Sequence, residues 1–258
     1  MEKLSTFNEE LSVLQEQELK GITVQERVLD YSDTGMIDYD TAWKLQKHLF
    51  EERHRGNVND TLLLLEHPHT YTLGKTADKS NLTCTPEYLR EKGISVFDID
   101  RGGDITYHGP GQIVGYPVIN LNEWHADAHL YLRSLEEVII RTLGQYGLKT
   151  GRIEGLTGVW IENRKIAAIG IKISRWITMH GFALNVSTDL DYFGGIIPCG
   201  IRDKEVTSLN KELQRDITVE NVKEKLLDNF KHIFSYDRIA CSTADVKNRI
   251  AELVAASI

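Results

Sequence analysis

The residues that could do chemistry concentrate in three stretches of this 258-residue chain. The first is Arg101-Gly-Gly-Asp-Ile-Thr-Tyr-His-Gly-Pro-Gly-Gln-Ile-Val-Gly115, with five glycines in fifteen residues. Glycine lets backbone approach a ligand closely or take positive φ, so this stretch is either a ligand-cradling loop or a set of turns between strands. It is not a dinucleotide fingerprint. Gly109 to Gly115 has one residue too many for GxGxxG, and Tyr116 to Leu121 pattern as strand rather than helix. Nor is it the GxxxxGK[ST] phosphate loop. The second stretch is Ile197-Pro-Cys-Gly-Ile201. A cysteine between Pro and Gly sits on a turn, which shifts the reading from a packed core thiol towards a nucleophile. Cys84 and Cys241 lack that setting and read as inert. The third is Lys165, which starts the small, apolar run Ile166-Ala-Ala-Ile-Gly170. Desolvation disfavours a charged amine, so Lys165 could take and give a proton near neutral pH. A solvated hairpin lysine beside Arg164 fits the same pattern.

The histidines are less specific. His125 and His129 have i, i+4 spacing but no glutamate after His125 and no third ligand nearby, so they read as solvated residues at a helix start rather than a zinc pair. His67 and His69 flank a proline at a strand end. His108 and His180 each lie in a glycine-containing segment and could line a site. No metal site is expected.

Elements must position these residues. Strands are expected at Val24 to Leu29, Leu62 to His67, Ile94 to Ile99, Thr157 to Glu162, Lys165 to Ser174 and Ile177 to Val186. Two-residue connections at Asn163-Arg164 and Arg175-Trp176 make the last three antiparallel. Helices are expected from Asp38 to Arg55, after the Thr85 cap and Pro86, from Ala126 to Tyr146, around Val222 to Ile233 and around Val246 to Leu253. Strands and helices mix without strict βαβ alternation. The expected fold class is therefore α+β, one domain over residues 22–258 with a mixed or antiparallel sheet and flanking helices, preceded by a polar extension over 1–21.

Composition narrows the class further. With 41% hydrophobic and 26% charged residues the chain is an ordinary globular one. A net charge of −8 argues against nucleic-acid binding. Three cysteines, spaced 115 and 42 apart, make neither a disulfide framework nor a zinc knuckle. The N-terminus has no apolar h-region and no apolar run could span a bilayer, so a cytoplasmic protein without membrane contact is expected. Residues 164–175 are a local exception, holding Arg164, Lys165, Lys172 and Arg175 without an acid, a basic strip that is either a solvated hairpin or a docking face.

RGGDITYHGPGQIVGYPVINL, KIAAIGIKISRWITMHGFALNV and IIPCGI together resemble the lipoyl(octanoyl) transferases of protein lipoylation. They occur in the family's order, with 64 residues from Arg101 to Lys165 and 34 from Lys165 to Cys199. EHPHTYTLGK and GLTGVWIENRK also fit, and the resemblance runs from about Val24 to about Phe234. It implies a fold related to the biotin and lipoate protein ligase catalytic domains. It implies transfer of octanoyl from acyl carrier protein, where phosphopantetheine carries it, to a lysine of lipoyl domains such as 2-oxoacid dehydrogenase E2 subunits and glycine cleavage H protein. No further cofactor is implied. Cys199 would form the acyl-thioester and Lys165 would tune it and move the proton. Arg101, Gly102, Gly103, Asp104, Ile105, Thr106, Tyr107, His108, Ala168, Ile169, Gly170, Gly181, Phe182 and Ala183 would line the acyl site. An ATP-dependent lipoate or biotin ligase, an amidotransferase between lipoyl domains, and a non-catalytic carrier-binding protein are the alternatives.

Overall fold

In the computed structural model the described residues are 26–197 and 204–255. The proposed extension over 1–21 and Cys199 both fall outside them. Among the described residues the strands are β1 (Val28–Met36), β2 (Asp60–Glu66), β3 (Thr70–Leu73), β4 (Ser95–Asp98), β5 (Ile105–His108), β6 (Gln112–Val118), β7 (Gly151–Ile153), β8 (Leu156–Ile161), β9 (Arg164–Ser174), β10 (Ile177–Asn185), β11 (Glu205–Val206) and β12 (Arg238–Cys241). The helices are α1 (Tyr39–His54), α2 (Pro86–Glu91), α3 (Ala128–Gly144), α4 (Leu209–Leu213), α5 (Val219–Ile233) and α6 (Thr243–Ala255).

Nine strands form a mixed sheet in the order β12-β1-β2-β6-β10-β9-β8-β7, with β11 beside β9. The pairs β12–β1, β1–β2 and β11–β9 are parallel, and the rest antiparallel. The chain is thus of the expected α+β class. The run Leu62-Leu-Leu-Leu65 shows why the sheet is central. Successive side chains on a strand point to opposite faces. Leu62 and Leu64 meet α3 and α5 through Leu135, Val138, Ile139 and Phe230, while Leu63 and Leu65 meet α1 through Ala42, Leu45 and Leu49. All four leucines are fully buried, as a strand covered on both faces requires. A second sheet, β4-β3-β5, carries a separate core of Tyr71, Leu73, Ile105, Tyr107 and Phe193.

Local signals account for most element ends. Thr85 accepts from the Tyr88 N–H and Pro86 opens α2. Asp127 accepts from His129 and Leu130 N–H groups at the start of α3. Arg175 and Trp176 both have positive φ, the signature of a tight I′ hairpin between β9 and β10. Two expectations shift. β1 begins at Val28 and runs to Met36, because its polar residues sit between two parallel neighbours rather than in a loop. The β8–β9 turn is Glu162-Asn163, one residue earlier than expected, since Ile161 pairs with Arg164 and Glu162 takes φ +52°.

Candidate active site

The Gly-rich stretch is both of the things its composition allowed. It contains β5, the turn at 109–111 and the start of β6, but residues 100–104 before β5 fold over β9 and β10 as a loop. Several bonds pin that loop. The Gly102 N–H donates to the Ile171 carbonyl (2.9 Å) and the Lys75 N–H to the Arg101 carbonyl (3.0 Å). Arg101 Nη2 donates to the Thr72 carbonyl and hydroxyl at 2.8 and 3.0 Å. Asp104 accepts from the Ile105 and Asp78 N–H groups and from Asn81 Nδ2. The Asn81 carbonyl in turn accepts from the Ile197 N–H at 2.8 Å, so the loop is tied to the residue that leads into Pro198-Cys199. Gly170 is what lets the loop lie so low, because a Cβ there would come within 2.9 Å of Arg101 Cδ and 3.1 Å of the Gly102 carbonyl oxygen.

Beneath the loop is a cavity of about 480 Å³, a size suited to a small ligand. Every expected site position among the described residues borders it except Tyr107. Arg101, Gly102, Gly103, Asp104, Ile105, Thr106 and His108 form one wall. Ala168, Ile169 and Gly170 of β9, with Gly181, Phe182 and Ala183 of β10, form another, and Lys165 also borders it. Tyr107 is a correction. Strand alternation turns its ring into the second core, where its hydroxyl meets His69 Nδ1 at 2.8 Å. Lys165 is 8% exposed, and its Nζ lies 4.7 Å from the centre of the Trp160 ring. β8 and β9 pair only from Arg164 to Ala167, and Gly155, Leu156 and Thr157 beyond that pairing form a further cavity wall.

Sequence reasoning left several wall residues unassigned. Tyr39 and Leu132 carry no motif, Tyr116 and Ile171 lie within the quoted motifs without having been assigned to the site, and the four come from four separate elements. His180, noted only as a possible lining residue, is more informative. It holds φ +58° inside β10, a left-handed conformation uncommon for a non-glycine residue within a strand. Its N–H donates to Gln46 Oε1 (2.8 Å), away from the ladder, and its Nε2 donates to Asp100 Oδ1 (2.9 Å). Lys172 Nζ donates to the other Asp100 oxygen at 2.5 Å. These donors, that of His180 first, hold the Asp100 carboxyl well below the usual range. Burial pushes the His180 imidazole down despite its carboxylate neighbour. Burial drives His108 far down as well, and it brings His67 to about 4. The cavity wall is therefore built with neutral imidazoles.

The expected basic strip does not form an open face. Arg164 pairs with Glu212 and Glu162, Lys172 with Asp100 and Arg175 with Glu51, while Lys165 is buried. Among the described residues no group of three or more His, Cys, Asp or Glu could hold a metal ion, and no helix is long and apolar enough to cross a membrane.

Residues 38–231 match the family described as lipoyl protein ligase A/B catalytic domain. The chain belongs to that family. An octanoyltransferase of Christiangramia forsetii is 49% identical over 223 residues, covering 80% of this chain and 95% of the relative. One from Rubrobacter xylanophilus is 53% identical over 201 residues, covering 77% and 90%. Likeness at this level over nearly the whole relative makes this family member an acyltransferase of the octanoyltransferase kind. Solved structures confirm the fold alone. A lipoate-protein ligase A bound with ATP superposes with TM-score 0.67 at 18% identity, covering 89% and 94% of the two chains. A bipartite lipoate protein ligase from Thermoplasma acidophilum gives 0.64 at 18%, covering 88% and 91%.

Proposed function

We propose that this enzyme moves an octanoyl group from the phosphopantetheine thioester of acyl carrier protein to a lysine of a lipoyl domain, through a thioester on Cys199. The observation that carries the reading is the single cavity that gathers the Gly-rich loop, the small residues of β9 and β10 and the Lys165 side chain. In the first half-reaction the Cys199 thiol gives its proton to the Lys165 amine, its thiolate attacks the octanoyl carbonyl, the new C–S bond forms as the bond to the carrier's sulfur breaks, and the departing carrier thiolate takes the proton back from Lys165. In the second, a deprotonated lysine amine attacks the acyl-Cys199 carbonyl. The C–N bond forms, the C–S bond breaks, and the amine's second proton passes to Lys165 or to the departing sulfur. Exchange between thioesters is nearly isoenergetic, so no ATP is needed. Burial of six methylenes at about 0.8 kcal/mol each holds the acyl chain by roughly 5 kcal/mol. No location in the cell and no particular acceptor is needed for this chemistry.

The test is the intact mass of the full-length protein after mixing with octanoyl-acyl carrier protein, beside a Cys199→Ala variant. One octanoyl adduct, removed by hydroxylamine, absent from the variant and formed without ATP, is the expected result. No adduct on folded enzyme with intact donor overturns Cys199 as acceptor from that donor. Octanoylation only with ATP and free acid would assign a ligase, and acylation only from an octanoylated lipoyl domain would assign an amidotransferase.

A further inference from the structure

Lys165 also borders a second, much smaller cavity of about 10 Å³, together with Thr106, Gln112 and Asn185. Gln112 and Asn185 are buried and belong to a chain of hydrogen bonds whose direction is fixed at both ends. Arg101 can only donate, so Thr72 Oγ1 accepts from its Nη2 (3.0 Å) and turns its own hydrogen to His108 Nε2 (3.4 Å). His108 Nδ1 then donates to Gln112 Oε1 (2.9 Å). Gln112 Nε2 donates to Asn185 Oδ1 (2.9 Å) and also to the Tyr107 carbonyl (3.1 Å). Asn185 Nδ2 donates to the Thr207 carbonyl at 2.9 Å, which can only accept. Bonds that all run one way polarise each other, and no amide in the chain can rotate without leaving two buried groups unmatched.

The chain ends on the strand that grips Lys165. Val206 pairs with Lys165 in register, and the Thr207 N–H donates to the Lys165 carbonyl at 2.9 Å. The Thr207 hydroxyl donates to Glu212, which also holds Arg164. We propose that Gln112 and Asn185 are positioning residues for the Lys165 amine: they hold β11 against β9 and present neutral amides to the small cavity that Lys165 borders. This rests on the reading of Lys165 as the group that moves the proton.

Asn185→Asp tests it. The variant keeps the shape and the acceptor for Gln112, but it loses the donor to Thr207 and adds a carboxylate to the wall of the small cavity. A carboxylate there favours the ammonium form of a neighbouring amine, so the base form appears only at higher pH. Among the described residues, the ionisable groups on the surrounding elements are Arg164 with Glu162 and Glu212, Lys204 and exposed Glu205 at β11, and, around the large cavity, Arg101, Asp104, His108, Tyr39, Tyr116 and His180 with its Asp100–Lys172 pair. All are unchanged in the variant. Single-turnover transfer from acyl-enzyme to a lipoyl domain should have its acid limb moved up by about one pH unit, a tenfold loss near pH 7 that recovers in alkali. Asn185→Ala should lower the rate at every pH, with the limb unmoved and the donor KM within twofold. If Asn185→Asp does not fold, as judged by thermal melting, Gln112→Glu places a carboxylate on the same cavity and should move the limb in the same direction. A limb that stays put in whichever charged variants fold overturns the inference. Lys165→Met separates the two readings. If it keeps the wild-type limb, the role of Lys165 itself is wrong; if it abolishes the limb that Asn185→Asp leaves unmoved, only the positioning role fails.

Discussion

Acid should unfold this protein earlier than its carboxylates alone would require, and His67 gives the cleanest measure of it. The ring is fully buried, its Nδ1 donates to the Ile37 carbonyl (2.7 Å) and its Nε2 accepts from the Tyr116 hydroxyl (2.8 Å). Both nitrogens are used by the neutral form, so protonation would set an N–H against the hydroxyl that now donates to it. Burial accordingly holds the imidazole down at about 4, against 6.5 in the unfolded chain. With the folded value the lower one, the unfolded state binds the extra proton between those two values. The stability is complete above about pH 6.5 and is lost as pH falls towards 4. At 1.36 kcal/mol per unit the loss comes to about 3 kcal/mol from this residue. His108 and His180, also buried and lowered, add to it in the same direction.

Urea titrations at half-unit steps from pH 7.5 to 5 would measure the slope in the wild type and in His67→Asn. The asparagine amide keeps a donor for Ile37 and removes the titrating group. It should cost about 1–3 kcal/mol at pH 7 because the Tyr116 hydroxyl loses its acceptor. Its stability should then fall less steeply, by up to about 1.4 kcal/mol per pH unit between pH 6 and 5. Contributions from carboxylates and the other histidines are common to both proteins and cancel in the difference. Equal slopes would refute the reasoning, since they would mean that His67 takes up a proton in the folded state as readily as in the unfolded one.

Two further outcomes follow from the cavity walls. Asp100→Ala removes a charge-assisted bond from His180 and a partly exposed ion pair to Lys172, and should lower stability by about 2–4 kcal/mol, whereas Asp100→Asn keeps an acceptor for His180 and should cost about 1 kcal/mol; thermal or urea unfolding that ranks the two variants equal would show that charge rather than the His180 bond anchors the loop. Ala168 and Ala183 are cross-strand partners that both border the cavity, so Ala168→Leu should shorten the chain the site accepts. Its kcat/KM should fall more for octanoyl than for hexanoyl donors, by about fourfold for each methylene excluded, and an unchanged ratio would place the acyl chain elsewhere.

What could be read from the sequence differs sharply between framework and site. β2, α1, α3 and the β9–β10 hairpin each have a local cause: an unbroken leucine run, an apolar stripe, a capping aspartate, a two-residue turn. The strands that were missed, β3, β5, β7, β11 and β12, are two to four residues long and exist because a neighbouring strand offers them a ladder. No local pattern announces that. The cavity follows the same logic. Its Gly-rich wall was suggested by five glycines in fifteen residues, and its β9–β10 wall came from the family resemblance; the structure supplies the physical reason for the small residues, as at Gly170 under Arg101. Tyr39 and Leu132 were not legible, since what brings them to the site is helix packing across long separations. His180 lies between the two cases. Its neighbour Gly181 takes φ +156°, and a Cβ there would run into the Gly115 carbonyl oxygen and Pro117. Pro117 has no N–H to offer the ladder, so β10 parts from β6 around His180, whose N–H turns to Gln46. The pair His180-Gly181 beside a proline-bearing strand therefore marks a break in regular pairing only once the register of β6 on β10 is known. That break is what turns the imidazole to Asp100 and closes the loop over the cavity.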